Sequence, residues 1–256
     1  MDKNITLFTH LFYRDPSKYL LERLRTLDDL PLKISLLPNG KHNDEIIKHA
    51  KDRFSNVEYI VLDENKGSDQ WGLYNLYHKY IDDIETDWIL YTHDKHISKL
   101  EWLDEVLDPI IECDVYKELD DINAGIICSD GKWKIQQRSE AEITEAVYKV
   151  PASERAAHIK QRHTLCWLRE LQLILLQETG LQCMDNVNPL FTAGNIFFIR
   201  TKVLSQALRC VLDPNFFEPV YRNDGDLGHA LERFYFYVST SMEYNNKFIT
   251  VKETES

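Results

Sequence analysis

The chain has few cysteines and no cysteine motif. Its five cysteines are widely spaced and odd in number, and no two of them form a C-x-x-C pair. A disulfide-stapled secreted domain or a cysteine-rich zinc module would need paired or closely spaced cysteines. We therefore expect free, buried thiols in a reducing compartment at Cys113, Cys128, Cys166, Cys183 and Cys210.

Long hydrophobic runs are also missing. The most apolar stretch, residues 165–176, contains Arg169 and Glu170 and falls short of the roughly 20 residues that cross a bilayer. The N-terminus enters a strand-like pattern at once, without the basic and apolar segments of a signal peptide. We therefore expect a cytoplasmic protein with no transmembrane segment, which would meet a membrane only peripherally, through its substrate.

Positive charge is the third deficit. Lysine and arginine number 30 against 42 aspartates and glutamates, for a net charge of −12. Nucleic-acid binding needs a basic surface, so this balance argues against a nucleic-acid partner. A single nucleotide is still compatible with it, because one diphosphate needs only a helix N-terminus, a basic side chain or a cation.

What the sequence does contain is an alternation of short apolar strands and helices. Strand patterns at 5–8, 32–37, 57–61 and 88–91 alternate with helix patterns at 15–27, 44–54 and 69–80. This alternation predicts an α/β fold in which helices flank a mostly parallel central sheet. Ligands of such sheets bind beyond the carboxyl ends of the strands, where the loops after these strands lie.

The alternation loosens in the second half of the chain. Helices are predicted at 102–111, 153–180, 201–212 and 226–242, and strands at 124–128 and 196–199, whereas 131–150 fits neither pattern. No repeat, low-complexity tract or linker divides the chain. We therefore predict a single domain over residues 1–245 and a polar, frayed tail at 246–256.

Polar residues and glycine cluster in the loops at the predicted ligand edge. The candidates for binding a ligand there are Thr9, His10, Asn39, Asn65, Gly67, His93, Asp94 and Lys95. Asp94 could present a carboxylate to Mg²⁺ or Mn²⁺, and Lys95 could meet a phosphate directly. Ordinary turn and capping chemistry would explain the same residues, and their shared position at the sheet edge is what favours a ligand.

Two motifs near the C-terminus carry more chemistry. Residues 191–195, F-T-A-G-N, place small residues before a strand, where a sugar could lie against the backbone or the chain could simply turn a tight corner. Residues 224–233, D-G-D-L-G-H-A-L-E-R, open a helix. Its spacing puts Leu227 and Ala230 on a core stripe with Leu231, Phe234 and Val238. Asp226, His229 and Arg233 fall on an adjacent stripe, with Glu232 further round.

The paired motifs resemble those of rhamnan-synthesis protein F type glycosyltransferases. Residues 191–200 are similar to that family's F-x-A-G-x-x-F-x-x-R strand, and 224–233 to its D-G-x-x-x-H-A-x-E-R helix. The histidine-containing strand end at 91–95 and the asparagine-x-glycine loop at 65–67 are also similar. The similarity is clearest over 188–234. An aspartate-x-aspartate signature is missing at Asp94, which leaves metal dependence open.

The resemblance implies a GT-A-like fold and transfer of a sugar from a nucleotide-sugar donor to a glycan or polysaccharide acceptor. The sugar it suggests is rhamnose or another deoxysugar, and the absence of an obvious nucleophile favours inversion. Residues 1–115 would bind the nucleotide sugar and 116–245 would form the acceptor side.

The resemblance also suggests roles for individual residues. Asp224 would be the general base, with Asp226 second, because the positive end of the helix dipole keeps such carboxylates ionised. Asp94 and His229 are the candidate ligands of a divalent cation, Mn²⁺ or Mg²⁺. The acceptor-side candidates are Thr192, Ala193, Gly194, Asn195, Glu232 and Arg233.

Two alternatives stay open at this point. One is a non-catalytic carbohydrate- or nucleotide-binding module derived from a glycosyltransferase, which the single carboxylate after the fourth strand favours. The other is a metal-dependent phosphoesterase using His93, Asp94, His96 and His229. The scarcity of paired carboxylates disfavours it.

Overall fold

A seven-stranded sheet forms the centre of the protein. The computed structural model describes residues 5–38, 40–66, 69–112, 115–131, 134–182, 190–192, 194–218 and 225–250. The strands in them are β1 Ile5–Leu11, β2 Leu32–Leu36, β3 Val57–Val61, β4 Trp88–His93, β5 Ala124–Ser129, β6 Lys134–Gln136, β7 Leu190–Thr192, β8 Phe197–Arg200 and β9 Asn245–Ile249. The helices are α1 Arg14–Arg23, α2 Asn43–Lys51, α3 Asp69–Tyr80, α4 Leu100–Glu112, α5 Val115–Leu119, α6 Glu140–Lys149, α7 Ala152–Thr179, α8 Thr201–Leu208 and α9 Leu227–Ser241.

The strand order of the central sheet is β3-β2-β1-β4-β8-β5-β9. Strands β1 to β4 are parallel, β8 runs antiparallel between β4 and β5, and β9 is parallel to β5. Strands β6 and β7 form a small antiparallel pair of their own. The predicted α/β fold with a mostly parallel sheet is confirmed.

Helices cover both faces of this sheet. Alternate residues of a strand point to opposite faces, so Phe8 and Ile89 join the cluster packed by α3, α7, α8 and α9. Their neighbours Leu7 and Leu90 join the cluster packed by α1, α2 and α4. Strands β1, β2, β4 and β5 are buried throughout, as expected for strands covered on both faces.

Helix α9 lies inside the protein rather than on its surface. The predicted core stripe is confirmed, since Leu227, Ala230, Leu231, Phe234 and Val238 are all buried. The next turn adds a run of buried aromatic side chains, Tyr235, Phe236 and Tyr237. Because α9 is surrounded, the polar residues of its first turns face other parts of the protein.

Three expectations about secondary structure need correction. The predicted tail is wrong over residues 246–249, because Asn245–Ile249 forms β9 at the sheet edge. Main-chain pairing and the ion pairs of Lys247 with Glu118 and Asp121 support this polar strand. The unassigned stretch 131–150 contains β6 and α6, whose start is a capping box of Ser139 and Glu142. Helix α8 ends at Leu208 rather than at 212.

Other details agree with the sequence. Helix α7 ends at Gly180, whose φ of 71° gives the predicted left-handed cap. Cys128 and Cys210 are buried as expected, whereas Cys166 is exposed. Cys113 and Cys183 lie outside the described residues. In the part of the chain that the structure describes, every helix is too short or too polar to cross a membrane.

Candidate functional site

The sheet has a topological switch point between β1 and β4. The chain leaves β1 towards β2 and β3, then returns to pair β4 with the other side of β1. Parallel sheets of this kind leave a crevice beyond the carboxyl ends of the two central strands. A cavity of about 440 Å³ lies there, lined by Phe12, Tyr13, Arg14, Asp15, Pro16, His42, His96 and Ile97.

Aromatic rings form much of this crevice. Phe12 and Tyr13 have ring centroids 4.5 Å apart, and Tyr13 meets His96 edge-on at 5.5 Å. Phe12 is 46% exposed, so its ring is available for stacking. Flat aromatic surfaces of this kind stack on nucleobases. The sequence prediction missed Phe12 and Tyr13, although an F-Y-R run soon after a predicted strand at the ligand edge was a usable signal.

Asp94 ties the end of β4 to the start of α1. Its carboxylate accepts hydrogen bonds from the backbone N–H of Phe12 at 3.0 Å, the N–H of Tyr13 at 2.7 Å and the Ser17 hydroxyl at 2.7 Å. Burial raises the pKa of Asp94 to about 6, although these bonds act to lower it. The Asp94 carboxylate, which was expected to face a cation, therefore bonds other groups of the protein. We call Asp94, Phe12, Tyr13 and Ser17 the junction.

A second group of polar side chains, the polar cluster, consists of Asp69, His93, Asn195 and Glu232. His93 Nε2 lies 3.2 Å from Asp69 Oδ2. The Asn195 side-chain amide donates to Asp69 Oδ2 at 2.8 Å and to Glu232 Oε1 at 2.7 Å. Four elements thus meet, since these residues come from the start of α3, the end of β4, the turn before β8 and the middle of α9.

The pKa values of the two carboxylates of the cluster, Asp69 and Glu232, shift in opposite directions. Burial acts to raise the pKa of Asp69, but the nearby charges of His93 and Lys95 and the Asn195 hydrogen bond lower it to about 2. Burial raises the pKa of Glu232, and the negative charge of Asp69 adds to that shift. The cluster therefore holds one firmly ionised carboxylate beside one that takes up a proton more readily.

Two histidines at strand ends, His10 beside the cluster and His93 within it, have lowered pKa values. Burial lowers the pKa of His10 to about 4, and its Nδ1 lies 2.9 Å from the Ser35 hydroxyl. Its ring packs on α3 so closely that a Cβ at Gly72 would lie 2.4 Å from it. Burial and the charge of Lys95 also lower the pKa of His93, while Asp69 opposes the shift.

The turn before β8 holds Asn195 in place. Gly194 and Asn195 both have left-handed backbone, with φ of 109° and 54°. A Cβ at Gly194 would lie 2.0 Å from the Trp102 ring, so only glycine fits. The Gly194 carbonyl lies 2.5 Å from His93 Nε2. A non-glycine residue such as Asn195 in this conformation carries strain that the surrounding contacts must hold.

The first turns of α9 bring a further pair beside the cluster. Asp226 caps the helix by accepting from the His229 N–H at 3.0 Å, and it lies 2.7 Å from His229 Nδ1. Burial acts to raise the pKa of Asp226, but its bonds and charge interaction with His229 lower it. Arg233 donates to the His229 carbonyl and lies 3.9 Å from Glu232. Helical spacing placed Glu232 away from this group, yet the fold turns it towards Asn195.

Several predicted contacts lie elsewhere. Thr9 is fully buried and bonds Thr92, and Thr192 is buried against Cys128 and Ser129, so neither hydroxyl lines the site. Asn65 is exposed on the loop after β3. The remaining candidates Asn39, Gly67, Ala193 and Asp224 lie outside the described residues.

Asp94 and His229, the residues proposed as metal ligands, each interact with other groups of the protein. Asp94 Oδ2 accepts hydrogen bonds from all three donors of the junction, and His229 Nδ1 is paired with Asp226. In the described ranges, no group of three or more histidine, cysteine, aspartate or glutamate side chains is arranged to bind a metal. The same finding gives no support to the phosphoesterase alternative.

Asp69 is the functional candidate that the sequence did not reveal. It reads as an ordinary first residue of a helix, and capping explains it fully at that level. Only the packing of α3 against β4 and α9 shows that it is the charged centre of the cluster.

Comparison with known proteins places the chain in a family. The family model described as rhamnan synthesis protein F matches residues 1–244. The crystal structure of mouse xyloside xylosyltransferase 1 in its apo form is similar over 96% of this chain and 84% of that one, with 9% identity and a TM-score of 0.36. A likeness at that level carries no argument about function. Comparison with curated proteins finds no match.

Proposed function

Because the chain belongs to the rhamnan synthesis protein F family, we propose that it is a glycosyltransferase using a nucleotide-sugar donor and a glycan or polysaccharide acceptor. A deoxysugar such as rhamnose is the proposed group transferred. The observation that carries the proposal is the assembly, from four distant elements, of the polar cluster beside a crevice at the switch point of the sheet.

The crevice suits the nucleotide. Phe12 and Tyr13 offer stacking surfaces, and Arg14 lines the same cavity. Lys95, which lies with its ammonium 5.1 Å from the centre of the Trp102 ring, follows β4 between the crevice and the cluster. A positive charge at that position would stabilise the negative charge that develops on a departing diphosphate.

The polar cluster and the Asp226–His229 pair suit the sugar and the acceptor. In the proposed step an acceptor hydroxyl oxygen forms a bond to the anomeric carbon as the bond from that carbon to the diphosphate oxygen breaks. The hydroxyl proton passes to a carboxylate, and the configuration inverts. Among described residues we assign this base to Asp226, supported by His229, with Asp224 retained from the sequence as the other candidate.

Glu232 is a further base candidate that the structure adds. Its raised pKa brings it closer to neutral pH, which favours proton transfer. Asp69, with a pKa of about 2, stays ionised and would bind sugar hydroxyls or oppose positive charge at the anomeric carbon. Replacing Asp226 and Glu232 singly by their amides separates the two: the base is the one whose loss lowers kcat without raising KM.

The proposal is tested by measuring release of nucleoside diphosphate. The purified chain is incubated with a panel of nucleotide sugars that includes deoxysugar nucleotides, with candidate acceptors, and with and without Mn²⁺. Release that depends on both donor and acceptor supports a transferase, and mass spectrometry identifies the product. Absence of release with donors that raise the melting temperature would overturn catalysis, because such donors are demonstrably bound.

One observation favours the second candidate, a non-catalytic binding module. The carboxylate that follows β4, Asp94, is used to hold the junction together rather than exposed to a ligand. A module would bind a nucleotide sugar in the crevice and leave it intact. The thermal-shift and release measurements above distinguish the two, since a module gives the first signal without the second.

A further inference from the structure

A second and larger cavity lies on the other side of the α9 start. Its volume is about 720 Å³, and it lies between α7, the segment after α8, and Leu227. The walls are mainly apolar, with Trp167 and Phe216 facing each other at a ring distance of 5.4 Å. Its size is within the range of about 300–1,000 Å³ typical of small-molecule sites.

Apolar side chains at this cavity remain in contact with solvent. Leu212 is 64% exposed, Ile159 45% and Phe216 43%, although all three line the same cavity. The inner wall is core, since Leu171, Val211 and Leu227 are buried. Large aliphatic and aromatic side chains exposed around one concave surface mark a place where an apolar group binds.

The cavity adjoins the proposed acceptor side. Leu227 lines it, and the preceding residue, Asp226, is the proposed base and N-cap of α9. A hydrogen bond joins the segment before α9 to α7, because the Gly225 N–H donates to the Thr164 hydroxyl at 2.9 Å. An apolar group bound in the cavity would therefore place an attached polar group near the start of α9.

From this juxtaposition we propose that the cavity binds an apolar aglycone, a hydrocarbon chain attached to the acceptor sugar. That the hydrocarbon belongs to the acceptor rests on the proposed function. That the cavity binds a hydrocarbon rests on the cavity alone. Exposed polar residues that share the lining, Arg162 and His163, would border the polar end of such a molecule.

Cys166 provides a direct probe of occupancy. Its thiol is exposed and lines the cavity, so a bound chain should shield it from alkylation. The chain is treated with N-ethylmaleimide in the presence of octyl β-D-glucoside, below its critical micelle concentration, or of methyl β-D-glucoside. Peptide mass spectrometry reads the Cys166 peptide apart from the other cysteines. We expect octyl glucoside to slow labelling at least about fivefold and methyl glucoside to have no effect, because only the octyl chain gains from burial.

A matched pair of variants tests whether the cavity is responsible. Leu212→Asp places a charge at the cavity, and Ile122→Asp places one at a residue that is 79% exposed and outside the lining. Both sites are exposed, so both variants should fold. We expect Leu212→Asp to abolish most of the protection of Cys166 and Ile122→Asp to retain it. Equal protection in both variants, or no protection in the unmodified chain, would overturn the proposal.

The acceptor role is tested separately by transfer to octyl and methyl glycosides of whichever sugar proves to accept. A KM at least about tenfold lower for the octyl form, lost in Leu212→Asp, supports it. Shielding of Cys166 without any donor turnover would mean that the proposed function had failed and the hydrocarbon site had not. Turnover with equal KM for both glycosides would overturn the aglycone proposal alone.

Discussion

The junction and the polar cluster lie side by side after β4, and each buries a carboxylate, yet they shift its pKa in opposite directions. At the junction, burial of Asp94 outweighs its bonds from neutral donors and the charge of Lys95, so its pKa rises to about 6. Asp69 in the cluster is surrounded by His93, Lys95 and Asn195, so its pKa falls to about 2. Burial is common to both, and the charge of the neighbours decides the outcome.

The opposite pKa shifts of Asp94 and Asp69 indicate different roles for the junction and the cluster. Neutral hydrogen bonds from Phe12, Tyr13 and Ser17 fix the loop that shapes the crevice. The charge of Lys95 and the hydrogen bond from Asn195 help to keep Asp69 ionised, and its side chain is still 15% accessible. Arrangements of titratable groups that push two pKa values apart are typical of active sites. On this basis the proposed function assigns the chemical step to the cluster and a supporting role to the junction.

The largest effect should come from Asp69→Asn. Loss of the charge opposite His93 should reduce product formation by about 10²–10³-fold, the range seen when one electrostatic contributor to a site is removed. Rates of nucleoside diphosphate release at saturating donor measure it. Asp94→Asn is the matched change at the junction, and its effect on rate should be at least tenfold smaller. A larger loss of rate in Asp94→Asn than in Asp69→Asn would contradict the roles assigned to the two carboxylates.

A large effect on stability should come from Gly194→Ala. The new Cβ would meet Trp102 and adopt an unfavourable φ, so we expect a loss of about 2–4 kcal/mol in the free energy of unfolding. Gly180→Ala is the control, because Gly180 also has positive φ but has nothing within 4 Å of the added Cβ. Its loss should be about 1 kcal/mol. Urea titrations measure both, and equal losses would show that the Trp102 contact is unimportant.

The pH dependence of stability should differ between the two carboxylates. Because the folded pKa of Asp94 is raised, the native state binds more protons than the unfolded state between about pH 4 and pH 6. Its contribution to the free energy of unfolding therefore falls as pH rises through that window, by about 1–3 kcal/mol. The pKa of Asp69 is lowered, so its contribution is present above about pH 4 and is lost as pH falls towards 2.

Urea titrations of the unmodified chain and of Asp94→Asn between pH 4 and 7 test the first of these contributions. The free energy of unfolding of the unmodified chain should fall relative to that of the variant as pH rises, because only the unmodified chain carries the group whose ionisation is unfavourable. A difference that stays constant over this range would contradict the raised pKa.

The smallest effect should come from Phe12→Ala. Loss of a stacking surface in the crevice should raise KM for the donor about five- to twentyfold and leave kcat within about twofold. Initial rates over a range of donor concentrations measure it. Tyr59→Ala, at a residue 42% exposed and outside the crevice lining, serves as control. A fall in kcat with unchanged KM would move Phe12 from the binding role to the chemical one.

Local patterns predicted much of the fold. Strand and helix alternation gave the parallel sheet, and the spacing of Leu227, Ala230 and Phe234 gave the buried face of α9. Gly180 marked the end of α7. The edge strand β9 was missed because polar edge strands depend on main-chain pairing with β5, and their side chains carry no apolar alternation.

The site was predictable only as a region. The loops after the parallel strands and the first turns of α9 were identified, and His93, Asn195, Glu232 and Asp226 are brought together there. Individual roles were less accessible, because a buried and a solvent-facing aspartate at the end of a strand look alike in sequence. Asp94 was predicted as a site residue because of its position after a strand, whereas Asp69 was explained as a helix cap and was not among the predicted site residues.

The sequence by itself determined the strand and helix alternation of the first half of the chain and the buried face of α9, because these follow from local periodicity. It also determined at which edge of the sheet the loops after the parallel strands meet, because that follows from the geometry of parallel sheets. Tertiary structure alone decided in which direction the pKa of each carboxylate shifts. The pKa of Asp69 depends on His93 and Asn195, which are far from it in the chain and adjacent to it in space. Electrostatic interactions act across distance in the folded protein, and no local pattern encodes them.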